Sequence, residues 1–233
     1  MVTSQSGAYT AIIVSRDEDV FLREAISSAL SQTRGPSELF VVLNPGSRSD
    51  SYAAHVARSF GRPVRILEAS DAGLIAGLNA GIESTSTEFV AFLDSDDLWE
   101  SHKQEVQLKT LLADPNLDAS TSLVTNFRDA PDGTREHVLT APGIMFTNTT
   151  FRTSTFARFG KIDVSATHYT WLARWWSQAR ERGIRMSRIE SVGVLRRIHS
   201  ENSWVTESAK AHQELRNELR SILAQKRANQ RHP

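Results

Sequence analysis

Phe89-Val90-Ala91-Phe92-Leu93 runs directly into Asp94-Ser95-Asp96-Asp97. A run of apolar residues this short does not make a typical helix, and it is too continuous for a strand with one wet face. It reads as a strand buried on both faces. Asp94, Asp96 and Asp97 then leave the core together at its C-terminal end. Carboxylates crowded this closely repel one another unless a cation or a proton lies between them. In an open α/β sheet, ligands bind beyond the C-terminal ends of the strands. The stretch therefore points to Mn²⁺ or Mg²⁺ held by hard carboxylate oxygens, with a nucleotide's phosphates on the far side of the ion. An acidic strand-to-helix turn, with Asp97 or Ser101 capping the helix that follows, accounts for the same residues without a ligand.

Around this strand, the first half of the chain alternates strand and helix signals. Strands are expected at 9–14, 38–43, 64–68 and 88–93. Between them, apolar residues recur at helical spacing: Val20, Leu22, Ala25, Ile26, Ala29 and Leu30, then Tyr52, Val56 and Phe60, then Leu74, Leu78 and Ile82. Strands separated by helices imply a parallel, doubly wound α/β sheet whose strand ends share one ligand-binding rim. After Asp97 the pattern changes. Helices are expected at 100–113, 151–159, 168–182 and 205–227, and strands at 117–127, 184–189 and 192–197. Asp129-Ala130-Pro131-Asp132-Gly133 reads as a hairpin turn returning through Arg135 to Leu139. The expected division is 1–99 for a nucleotide-binding half, 100–204 for an acceptor half and 205–233 for a C-terminal helix and tail, with no linker that marks an independent domain.

The order of these pieces carries a resemblance. Tyr9-Thr10-Ala11-Ile12-Ile13-Val14, the helix from Phe21 to Thr33, Glu38-Leu39-Phe40-Val41-Val42 with Gly46-Ser47, and Gly73 with Asn79-Ala80-Gly81-Ile82 resemble successive motifs of the family 2 glycosyltransferases. Glu88 through Trp99 resembles the stretch around that family's D-x-D, and Arg152, Gly160-Lys161-Ile162-Asp163 and Arg197-Ile198-His199-Ser200 resemble its acceptor-side half. The resemblance spans roughly residues 9 to 203. It implies the GT-A fold and inverting transfer of a sugar from a nucleotide-sugar to an acceptor that the sequence does not name.

The resemblance also implies roles. Asp94 falls where a carboxylate touches the ribose and the metal shell, and Asp96 falls at the direct metal ligand. His199 falls where relatives bring a histidine toward the metal or diphosphate, although a surface loop histidine fits equally. Arg197, with Arg196 beside it, is a candidate for the phosphate oxygens, or the two are simply a solvated basic pair. Ser15 and Asp17 stand in the exit loop of the first strand, where Asp17 either replaces the family's usual Asn or caps the helix. Leu43 and Asn44 stand where the family places an Asp pair that reads uracil, and Leu78 stands where it often has Arg. These departures leave UDP-, TDP- and GDP-linked donors all open. Asp71 is available to ribose or base, or is simply an exposed loop residue.

The departure that touches chemistry is the catalytic base. The family's acidic pair, counted back from Arg174, has become Thr167-His168. His168 serves as the base, or the base comes from elsewhere such as Asp163, or the chain is a non-catalytic nucleotide-binding or scaffold relative; a histidine that merely caps the following helix fits too. Trp171 and Trp175 share a helix face and read as core, while Trp176 and Trp204 are acceptor-side candidates.

Composition bounds the rest. With 27 basic and 27 acidic residues, no global field points to nucleic acid. Absence of cysteine excludes disulfides and thiolate zinc sites. No apolar run spans a bilayer and Met1 to Ala8 lacks signal-peptide character, so a cytoplasmic chain is expected, with any membrane contact peripheral. Leu215, Leu219, Ile222 and Leu223 form a narrow stripe on the last helix, suited to the chain's own flank, to a homodimer or to an anionic membrane.

Overall fold

Alternating side chains on the first strands feed two separate cores. The computed structural model describes residues 7–16, 19–46, 51–61, 63–200 and 208–231. On β1 (Tyr9–Val14), β2 (Glu38–Leu43) and β4 (Phe89–Asp94), odd and even positions enter opposite faces of the sheet. Tyr9, Ala11, Ile13, Leu39, Val41, Phe89 and Ala91 pack under α1 (Leu22–Leu30), α2 (Tyr52–Ser59) and α4 (Lys103–Ala113). Ile12, Phe40, Val42, Val90 and Phe92 pack under α3 (Leu74–Ser84), α5 (Ser154–Phe159) and α6 (Trp171–Glu181). Burial on both faces explains why these strands are mostly apolar.

The sheet order is β3 (Val64–Glu68), β2, β1, β4, β8 (Thr149–Arg152), β6 (Ala119–Asp129), β9 (Met186–Arg197), β5 (Leu98–Trp99), with β7 (Arg135–Pro142) paired to β6. β1, β2, β3 and β4 are mutually parallel. Beyond β4 the pairing is mixed: β8 runs antiparallel between β4 and β6, and β9 runs parallel to β6. β5 pairs with β9, and β7 is the expected hairpin return. One sheet thus runs through both halves without a break. Helix α7 (Ser208–Arg231) follows. Among the described residues, no helix is long and apolar enough to cross a membrane.

The second half departs from expectation in specific places. Residues 151–159 are not all helix, because Thr149 to Arg152 form β8. The two strands expected at 184–189 and 192–197 are one, interrupted only by a shift of register against β6. The helix expected from residue 168 begins at Trp171, so His168 stands in the turn before it and is not its cap. α4 buries Lys103, Gln104 and Gln107 along with Leu108 and Leu111, whereas Val106 and Leu112 lie outside.

That polar face of α4 is matched except at Gln104 Nε2, which is buried without a hydrogen-bond partner among the described residues. The Gln107 amide donates to the Asn148 carbonyl at 2.7 Å, and the Thr150 hydroxyl donates to Gln107 Oε1 at 2.6 Å. Lys103 Nζ donates to the same Oε1 at 2.9 Å and lies 4.3 Å from the Trp99 ring centroid. Burial holds its ammonium well below the ordinary 10.5. The unfolded chain therefore binds a proton that the folded chain resists, so stability rises with pH up to about 10.5. Gln107 Oε1 keeps its bond from Thr150 without the lysine. Lys103→Met is thus expected to raise the melting temperature at neutral pH by a few degrees, from about 1 kcal/mol or more, and to flatten the rise of stability toward alkaline pH. Thermal melts at a series of pH values check this. An unchanged pH slope would show that the lysine is hydrated.

α3 approaches β1 through glycine. A Cβ at Gly77 would lie 2.6 Å from Val14 Cγ1, and one at Gly81 would lie 2.7 Å from Ile12 Cγ2. This close seat sets the N-terminus of α3, at Gly73 and Leu74, beside the C-terminal ends of β1 and β2. Asn44 Oδ1 accepts from the Gly73 N–H at 2.8 Å and fixes that junction.

Candidate active site

The C-terminal ends of β1, β2 and β4 open on a cleft of about 1190 Å³. Its floor is the end of β4 and the turn after it. Asp94, Asp96 and Asp97 offer carboxylate oxygens that all lie within 4.8 Å of one another. Asp94 is reachable from the cleft yet enclosed by protein around its carboxylate. Burial pushes it up to about 6, the Asp96 charge adds to that, and the Arg196 guanidinium opposes it. Asp97 is buried, and burial again raises it well above the carboxylate range, with Asp94 and Asp96 adding; the Arg197 backbone N–H and Arg196 pull the other way. Its Oδ1 accepts from that N–H at 2.9 Å, while Oδ2 has no hydrogen-bond partner among the described residues. An orphaned buried carboxylate oxygen inside a cluster of carboxylates fits a hard divalent cation.

His199 closes one side of the cluster. Its Nε2 lies 3.0 Å from Asp96 Oδ2, and its ring packs on Phe21 at 5.0 Å between centroids. The cleft brings together Ser15, Asn44, Asp94 and Asp96 from the first half with His168 and His199 from the second. Ser15 is buried, its N–H donating to the Val42 carbonyl at 3.0 Å. His168 is exposed and lines the same cleft. Next to it, the Thr167 hydroxyl donates to Glu214 Oε2 of α7 at 2.7 Å.

Other expected residues stand elsewhere. Arg197 does not face the cleft. Alternation along β9 sends Arg196 into it and turns Arg197 inward, where it is 2% exposed. Its Nε donates to the Asp96 carbonyl at 3.0 Å, Nη2 to Glu24 at 3.1 Å, and Nη1 to Asp129. The guanidinium lies between the rings of Phe21 and Phe127, 4.3 and 4.9 Å from their centroids. Asp71 is exposed and outside the cleft lining. Asp163 also lies outside it and accepts from Ser165 N, Ser165 Oγ and Arg174 Nη1, which hold its carboxyl below the usual range and make it a poor base. Trp176 is buried with Trp175, its ring on Phe151, and is core as much as cleft wall. Asp17 and Trp204 lie outside the described residues.

Two contributors were not anticipated. Asp19, nearly buried, lines the cleft and accepts from the Phe21 N–H at 3.1 Å, so it holds the turn into α1. Helix α7 lines the outer cleft with Lys210 and the stripe from Leu215 to Leu223. The stripe was legible; its direction depends on where Glu214 and Glu218 attach.

The chain is similar to known proteins in sequence and in fold. The sequence profile described as Glycosyl transferase family 2 matches residues 10–176. An uncharacterized glycosyltransferase of Rickettsia felis is 36% identical over 91 residues, 39% of this chain and 15% of that protein. Glycosyltransferase GlyA of Streptococcus pneumoniae is 30% identical over 106 residues, 44% of this chain and 15% of that protein. The chain thus spans a minor part of the length of these relatives. Among solved structures, the mannosyltransferase PcManGT of Pyrobaculum calidifontis, in complex with GDP-Man and Mn²⁺, superposes with a TM-score of 0.66 at 16% identity, covering 91% of this chain and 64% of that one. TarS 1–349 of S. aureus, in complex with UDP-GlcNAc, gives 0.65 at 12% identity, covering 91% and 71%. The shared architecture is the GT-A fold.

Proposed function

The chain belongs to glycosyl transferase family 2, and on that premise we propose that it moves a sugar, with inversion, from a nucleoside-diphosphate donor to an acceptor hydroxyl, using a divalent cation at Asp94 and Asp96 and His168 as the base. The observation that supports this most is the carboxylate cluster at the end of β4, with its orphaned Asp97 oxygen, lining the same cleft as His168. A bound Mn²⁺ or Mg²⁺ would supply charge neutralisation for the departing diphosphate.

The chain's own groups do the rest. Arg196, directed into the cleft, offers charge to phosphate oxygens. Asn44 at the end of β2 and Ser15 at the end of β1 offer polar contacts to the nucleoside. His199 orients Asp96 through their 3.0 Å contact, or joins it on the ion. His168 accepts the proton of the attacking hydroxyl as the new glycosidic bond forms and the bond to the diphosphate breaks on the opposite face of the sugar. Family likeness and the donors carried by PcManGT and TarS support UDP- or GDP-linked sugars, and TDP stays within the same chemistry.

His168→Ala is expected to lose about 10²-fold in kcat with nucleotide affinity retained. His168→Asp, which restores a carboxylate, is expected to recover part of the loss. Steady-state assays of donor consumption over the three proteins check this. If His168→Ala turns over as fast as wild type, the base is another group. If wild type binds nucleotide with Mn²⁺ but consumes no donor, the chain is a binding relative.

A further inference from the structure

Helix α7 is held to the body by polar contacts, not by its apolar stripe. Glu218 grips Arg174 through two bonds of 2.9 Å, Glu214 accepts from Thr167, and Ala211 is buried beneath the first turns. A surface helix ordinarily buries its apolar stripe against the protein that carries it. Here Leu215, Leu219, Ile222 and Leu223 instead line the cleft. Leu219 is 44% and Leu223 54% exposed, so the protein leaves much of this wall uncovered. Leu172 of α6 and Met145 line the same cleft, which continues without a break to His168, Asp94 and Asp96.

Resting on the donor site proposed above, we infer that this wall binds the acceptor, and that the acceptor is amphipathic: it carries its reacting hydroxyl next to an aliphatic segment. The geometry selects this occupant over others. The wall, the proposed base and the carboxylate cluster line one cleft, so a molecule on the wall shares that cleft with the donor. A flat bilayer does not enter a concave cleft, and the stripe lacks the Trp and Phe that anchor helices at membrane surfaces. The Glu214 and Glu218 contacts orient the stripe toward the cleft rather than outward toward a second copy.

The test compares methyl and octyl β-glucoside, both below the micelle-forming concentration, by calorimetric titration with and without Mn²⁺ and UDP or GDP. Full burial of a methylene is worth about fourfold in affinity, and a half-open wall about twofold. Octyl glucoside is therefore expected to bind about 10²-fold more tightly than methyl glucoside. In the double variant Leu219→Ser, Leu223→Ser, confirmed as folded by circular dichroism, the ratio is expected to fall below about tenfold. Equal affinity for the two glucosides, or an octyl preference that survives in the double variant, overturns the inference. So does a wild-type dimer that the variant converts to monomer in light scattering, because the wall then belongs to a second copy. Co-sedimentation of wild type, but not variant, with phosphatidylglycerol vesicles overturns it in favour of a membrane. Nucleotide titrations run alongside separate the two readings: loss of nucleotide binding sinks the donor site, and the chain-length ratio judges the wall.

Discussion

Asp96→Asn is expected to reduce turnover by about 10³-fold and to remove the dependence of nucleotide affinity on Mn²⁺, with the fold intact. The amide keeps the size of the side chain but removes the charge that a hard cation requires. Asp96 is half open to the cleft and is not part of either apolar core, so its substitution does not threaten folding. Removing one negative charge also relieves Asp94 and Asp97, whose carboxyls are raised in part by Asp96. The variant's melting temperature is therefore expected to stay level or rise slightly in the absence of metal. The combination of lost metal response and retained stability is the signature of a ligand residue. Equal Mn²⁺-dependent nucleotide affinity in wild type and variant would show that Asp96 is not one.

Arg197→Ala is expected to destabilise the protein by about 3 kcal/mol, or roughly 10 °C in melting temperature. The figure reflects lost packing between Phe21 and Phe127 and the lost bond to the Asp96 carbonyl. It is not set at the level of a broken buried ion pair. Glu24 and Asp129, 48% and 46% exposed in their side chains, regain water when the guanidinium leaves. The same substitution tests the diphosphate role that the family likeness suggests. A residue that only contacts phosphate leaves the melting temperature of the nucleotide-free protein unchanged when removed. A large fall in that temperature marks Arg197 as the tie between the turn after β4, α1 and β6. Thermal unfolding without nucleotide decides between them.

The strand that ends at Asp94 was legible because burial on both faces leaves a direct mark: five apolar residues ending in carboxylates. The alternation of β1 to β4 with α1 to α3 was legible for the same reason. β8 was not, because Thr149-Thr150-Phe151-Arg152 is short and its hydroxyls are satisfied by Gln104, Gln107, Thr121 and the Met145 carbonyl, partners no local pattern reveals. The buried face of α4 was not legible either, since Lys103, Gln104 and Gln107 lie inside while Val106 and Leu112 lie outside. Asp94, Asp96 and His199 were singled out by motif, and the fold brings them together. Arg197 was misassigned because its inward turn depends on Glu24 and Asp129, 173 and 68 residues away. The course of α7 over the cleft was hidden because a stripe reports that a face is apolar, not what it faces.

The most direct measurement is calorimetric titration of the wild-type protein with UDP and GDP in the presence of Mn²⁺ and then of EDTA. A cation held between the β4 carboxylates and the diphosphate predicts at least tenfold tighter binding of one of these nucleotides with Mn²⁺. Affinity that is the same with Mn²⁺ and with EDTA would contradict it.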